Sequence, residues 1–194
     1  MRQRELNDSS TIAPRAGAHA GTVVAQGRTI MHASAAGFDD APDPLLALEA
    51  AAEHLGWACL RADRAELLLS AELESLTVQL SAQWRAADEL LQVAAMWDMP
   101  VPPARRADVA ALVQLANTRL SLGHFELWGE EVVFRHAQMM AERDLADEQR
   151  ARRLLRRVAQ ACAQYHPAFQ FVIWAGKKAD EALAACLFET VGEA

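Results

Sequence analysis

Glu130, Glu131 and His136 form the one close set of side chains in this sequence that an acid/base enzyme could use. Such chemistry needs a carboxylate or imidazole held in a pocket that moves its pKa towards the working pH. Glu130 and Glu131 directly follow Gly129 at an expected hairpin turn, where water keeps carboxylates ordinary, so the spacing favours a solvated turn over a catalytic pair. An enzyme of unrecognised type built on these three residues is the second reading, and it requires them to converge in one concave pocket. Arg150, Arg152, Arg153, Arg156 and Arg157 crowd into one stretch of an expected helix and offer guanidinium groups able to grip phosphates. They flank an apolar stripe on two sides, so their ordinary role is to lay aliphatic stems along its edges with the heads in water. Glu142, Asp144, Asp147 and Glu148 precede and offset them, and no stacking aromatics interleave, so a nucleic-acid partner through Arg150 to Arg157 is only a third reading.

Metal and redox chemistry find less support. Cys59, Cys162 and Cys186 lie far apart with no C-x-x-C spacing, which predicts three reduced, buried thiols rather than a zinc site or a redox dithiol. None of the six histidines forms H-E-x-x-H or stands at ligand spacing from a cysteine. The G-x-S-x-G, G-x-x-x-x-G-K and G-x-G-x-x-G patterns of common hydrolases, nucleotide sites and dinucleotide sites do not occur. No catalytic residue, cofactor or metal is therefore assigned.

The elements that must carry these residues begin with composition. The chain has 194 residues, a net charge of −7 and 52% hydrophobic residues, but 41 of those are Ala and only 15 are Val or Ile. Alanine favours helices and β-branched residues favour strands, so the balance predicts helix with a modest sheet. No apolar run reaches the ~18 residues of a membrane span, and no membrane partner is expected. Residues 1–41 hold four glycines and no helical or alternating apolar period, which predicts a disordered tail ahead of a domain at 42–194. In that tail Arg2, Arg4, Arg15 and Arg28 balance Glu5, Asp8, Asp39 and Asp40, so the acidity belongs to the domain. A secretory signal is not expected from such a start, the cytoplasm is the expected location, and Met31 offers an alternative start.

Leu45, Leu48, Ala52 and Leu55 follow Pro42-Asp43-Pro44 at helical spacing and end at Gly56, which predicts a helix over 43–55. Trp57 to Asp63 and Leu67 to Ala71 lack helix punctuation, and Leu76 to Trp84 alternates apolar with Thr77, Gln79, Ser81 and Gln83. With Leu91, Val93, Ala95 and Trp97 after a polar turn at 86–89, they predict three or four antiparallel strands, each with one buried and one wet face. Pro100, Pro102 and Pro103 then open a helix over 103–122 closed by Gly123. Residues 125–128 and 132–136 predict a hairpin with Phe125, Leu127, Val132 and Phe134 inward. A stripe from Ala151 to Tyr165 stops before Pro167, and a last helix starts near Asp180 and Glu181; between them the period of Phe169 to Trp174 fits a buried strand or a buried helix, and Pro167 and Gly176 at its ends favour the helix.

Two apolar features exceed what a small domain needs. Trp128 falls on the opposite face from Phe125 and Leu127, beside a turn, where it would either anchor a contact or be covered by the C-terminal helices. Phe169 to Trp174 is apolar nearly all round, which a small domain buries only at its centre or against another subunit. Trp128, Phe169, Ile173 and Trp174 are therefore the expected protein-interaction surface, and a homodimer is expected. The first functional reading is a non-enzymatic interaction module, chaperone-like or regulatory, with a protein or peptide partner.

The strings Asn117-Thr118-Arg119-Leu120-Ser121-Leu122-Gly123-His124-Phe125-Glu126-Leu127-Trp128, Val133-Phe134-Arg135-His136-Ala137 and Tyr165-His166-Pro167-Ala168-Phe169-Gln170-Phe171-Val172-Ile173-Trp174, with Glu181-Ala182-Leu183, resemble the YbjN family of bacterial proteins, described as sensory transduction regulators. The likeness covers about residues 45–194 and omits the tail. It implies an α+β fold similar to type III secretion chaperones, a twisted antiparallel sheet flanked by helices, and a regulatory role without catalytic residues. No site is carried over residue by residue.

Overall fold

A computed structural model describes residues 43–141, 144 and 146–189, so the expected tail at 1–41 lies outside the described residues. The first helix, α1 (Pro44–Leu55), starts where the Asp43 carboxylate accepts the Leu45 N–H at 2.9 Å and Pro44 presets the first turn. It stops at Gly56, whose φ of 70° lets its N–H close back on the carbonyls of Ala52 and Glu53. Four strands follow, β1 (Ala58–Arg61), β2 (Glu66–Leu73), β3 (Leu76–Arg85) and β4 (Leu90–Met96), with a 3-10 turn at 86–88 where the polar turn is expected. Next come α2 (Arg106–Asn117), β5 (His124–Trp128), β6 (Glu131–Met139), α3 (Glu148–Ile173) and α4 (Ala179–Glu189).

The strands form one antiparallel sheet in the order β1-β2-β3-β4-β6-β5. Its register explains the alternation in the sequence. Leu69, Leu80, Ala95, Phe134 and Phe125 stand in one row across five strands, and all five are buried under the helices. Shifting any strand by one residue would turn this row to the other face, so the period-two pattern fixes the pairing. The architecture is α+β: helices on one side of a six-stranded sheet, with the core between them.

Two helix boundaries differ from the sequence expectation. The helix expected over 103–122 is a 3-10 turn at 103–105 followed by α2, which ends at Asn117. Asn117 turns the chain out of the helix. Its side-chain amide donates to the Phe125 carbonyl at 2.9 Å and its carbonyl accepts the Phe125 N–H at 2.7 Å, tying the end of α2 to β5. Gly123, at φ 67°, serves the entry to β5 rather than the helix end, and a Cβ there would lie 2.7 Å from the Arg135 carbonyl oxygen.

The break expected at Pro167 does not occur. The stripe before it and the short helix after it are one helix, α3, of 26 residues. An interior proline forfeits a hydrogen bond and costs about 3 kcal/mol. Against that, Val158, Cys162 and Tyr165 before the proline and Phe169, Val172 and Ile173 after it are all buried. Burying each large apolar side chain contributes about 1.5–3 kcal/mol, so tertiary packing outweighs the local defect.

Candidate functional site

The aromatic centre of the core accounts for one part of the expected surface. Phe169 is fully buried, with its ring 5.4 Å from that of Phe125 and 5.7 Å from that of Trp97. Trp97 also meets His166 edge-on at 5.8 Å, and Phe125 meets Phe134 at 5.2 Å and Tyr165 at 5.4 Å. Ile173 is buried two helical positions of the same stripe further on, at 6% exposure. Phe169 and Ile173 are therefore core residues and not contact residues: the all-round apolar run is buried by the protomer's own sheet and α4 rather than by a second subunit. Desolvation in this core lowers the pKa of His166, and burial pushes the Cys162 thiol up to about 12.

Trp128 and Trp174 are exposed, at 52% and 68%. They lie 46 positions apart in sequence, yet the segment from Val101 to Arg106 touches the neighbourhood of both. The Val101 N–H donates to the Glu130 carbonyl at 2.6 Å, Arg106 donates to the Gly129 carbonyl, and the Arg105 guanidinium packs where a Cβ on Gly176 would sit 2.6 Å away. Trp128 is not a bare ring. The Arg135 guanidinium carbon stands 4.5 Å from its centroid, and Arg135 Nε is 2.7 Å from Glu126 Oε1, so a cation–π contact and an ion pair hold the indole in place.

Trp128, Glu126 and Arg135 belong to the sheet face that no described helix covers. By the register, Leu60 pairs with Leu68, Leu68 with Ser81, Ser81 with Ala94, and Ala94 with Arg135 on that same face. Its margins are apolar and exposed: Leu60 at 60% and Leu68 at 39% on one side, Trp128 and Met139 on the other. Its middle is short and polar, with Gln79 donating to Ser70 Oγ at 3.0 Å and Ser81 donating to Glu66 Oε1 at 2.7 Å. Met139 is 75% exposed, and nothing in the local alternation marked it as part of an apolar margin.

Glu130, Glu131 and His136 do not come together. Glu131 shares the open face of β6 with Val133 and Arg135, whereas His136 faces the helices in one row with Val93, Ala82 and Leu67. Five residues of strand separate Glu131 from His136, about 17 Å at ~3.4 Å per residue. His136 Nε2 instead stands 3.3 Å from Gln138 Oε1. The three residues thus form no pocket, and the acid/base reading loses its geometry.

The arginines divide as a helix requires. Arg150, Arg153 and Arg157 line an open cleft of about 190 Å³ together with Leu122, Gln138 and Leu154, while Arg152 and Arg156 are not part of its lining. Of the acids expected to offset them, Glu142 lies outside the described residues and the other three do so only in part. Asp144 pairs with Arg150, but Asp147 caps α3 by accepting the Arg150 N–H at 2.9 Å, and Glu148 meets His54 at 3.0 Å. Among the described residues no group of His, Cys, Asp and Glu is placed to hold a metal ion, and no helix is long and apolar enough to cross a membrane.

Comparison with known proteins bears on the fold as a whole. No curated protein matches the chain. A solved structure described as "YbjN, a putative transcription regulator from E. coli" is similar at 13% identity and a TM-score of 0.42, over 63% of this chain and 90% of that one. The YbjN family, described as "Putative bacterial sensory transduction regulator", matches residues 44–171. That span runs from the first residue of α1 to the end of the aromatic stripe of α3, taking in the whole sheet, and on that match the chain belongs to the YbjN family.

Proposed function

We propose that the chain is a non-enzymatic regulatory module that acts by protein contact, and that a second copy of the chain is the first occupant of its open sheet face. The observation that carries this reading is the asymmetry of the sheet. One face is sealed by helices, and the other presents exposed Leu60 and Leu68 at one margin and Trp128 and Met139 at the other. In a two-fold dimer each residue pair occurs twice, so the leucine margin of one copy meets the Trp128 margin of its twin. Trp174 is also exposed, but it stands at the end of α3 on the helix side and is not part of this face. The description of the family as regulators and the dispersal of Glu130, Glu131 and His136 both favour contact over catalysis.

The test is sedimentation of the full chain beside two variants. Leu68→Lys places a charge within the leucine margin, and Trp128→Glu removes the other margin's ring. Both are expected to convert a dimer into a folded monomer. Variants that keep the wild-type mass while folded would overturn the assignment of this face.

A further inference from the structure

We propose that the cleft between α3, β6 and the α2–β5 loop is a binding site for a small phosphate-bearing molecule, held by Arg153 and Arg157. The two arginines are four residues apart on α3, so their stems rise side by side about 6 Å apart along the helix, a spacing at which two guanidinium groups can share one phosphate. Arg150 completes the row one turn earlier, with Asp144 holding its head. Arg153 and Arg157 have no such carboxylate among the described residues, although the chain as a whole carries −7. Two guanidinium groups side by side repel each other, and an anion between them removes that repulsion.

The rest of the lining defines the ligand's size and character. Leu122 and Leu154 supply an apolar wall, and Gln138 supplies an amide held in place by His136 Nε2 at 3.3 Å from its Oε1 and by Met140 Sδ at 3.0 Å from its Nε2. A volume of about 190 Å³ accommodates a phosphate or pyrophosphate group with a small body attached. Nucleic acid fits less well. The three cleft arginines span only eight residues of helix, about 10 Å, and no aromatic side chain lines the cleft to stack a base. The cleft lies on the helix side of the sheet, away from the open face, so this site stands independently of the dimer.

Titration of the full chain with inorganic pyrophosphate at low salt, followed by calorimetry and by amide chemical shifts, tests the assignment. Saturable one-to-one binding is expected, with shifts concentrated at Leu122, Gln138 and 150–157. Arg153→Gln combined with Arg157→Gln is expected to weaken binding about tenfold or more. Arg152→Gln combined with Arg156→Gln removes the same charge from the same helix outside the cleft and is expected to leave affinity within about twofold. None of the four arginines is buried, and unchanged thermal unfolding verifies that both double variants fold. Non-saturating binding, equal losses in the two double variants, or shifts spread over the surface would overturn the site. So would tighter binding of a single-stranded oligonucleotide through the same arginines, which would assign the cleft to nucleic acid.

Discussion

Desolvation beside Trp97 lowers the pKa of His166, so the imidazole is neutral in the folded chain and takes up a proton more readily once unfolded. The unfolded state then binds more protons below the ordinary histidine value of about 6.5, and stability is lost as pH falls through that value towards the lower folded pKa. Chemical denaturation at a series of pH values is expected to show this loss, and His166→Phe is expected to flatten it. The thiols give a second residue-scale test. Cys59, expected to be buried, is instead exposed on the edge strand β1, because no further strand covers it; partial shielding of its thiol and the Glu49 carboxylate still push it up to about 11, and Cys162 reaches about 12 inside the core. A thiol reagent at neutral pH is expected to modify Cys59 more slowly than free cysteine, and Cys162 only after unfolding. That the cysteines stand apart was legible in their spacing. That Phe169 and Ile173 are core and Trp174 is not was not legible, because an all-round apolar segment carries no period to say which side faces inward.

Elements inherit their ends from contacts that single-residue rules miss. Asn117 joins α2 to β5 by two side-chain hydrogen bonds to the backbone of Phe125, and Asn117→Ala is expected to cost about 2 kcal/mol in denaturant titrations, at ~1 kcal/mol per bond. Pro167 sits inside α3 at a local cost, so Pro167→Ala is expected to raise stability by about 1–3 kcal/mol with no change in helical content. A loss of stability would mean that the packing of α3 on the sheet depends on the proline ring. The strands were the most legible elements, since the apolar positions of Leu76 to Trp84 match the buried face of β3. The proline was misleading for a physical reason: its effect on a helix is local, whereas the burial that overrides it comes from a sheet that forms elsewhere in the chain.

Among the described residues the sheet is asymmetric, with helices on one face and none on the other. Sequence alternation marks which residues of a strand point together, but not whether a helix or a second molecule covers each side, so the open face emerges only from the three-dimensional order of the strands. The same holds for the arginine cleft. The run from Arg150 to Arg157 was visible, but its division into a cleft row and an outer pair depends on where Leu122 and Gln138 stand. The central claim is that the uncovered face is an interface between copies. Light scattering on the full chain over a range of concentrations tests it most directly: the account predicts a mass twice the 21.2 kDa of one chain, and a mass of one chain at every concentration would contradict it.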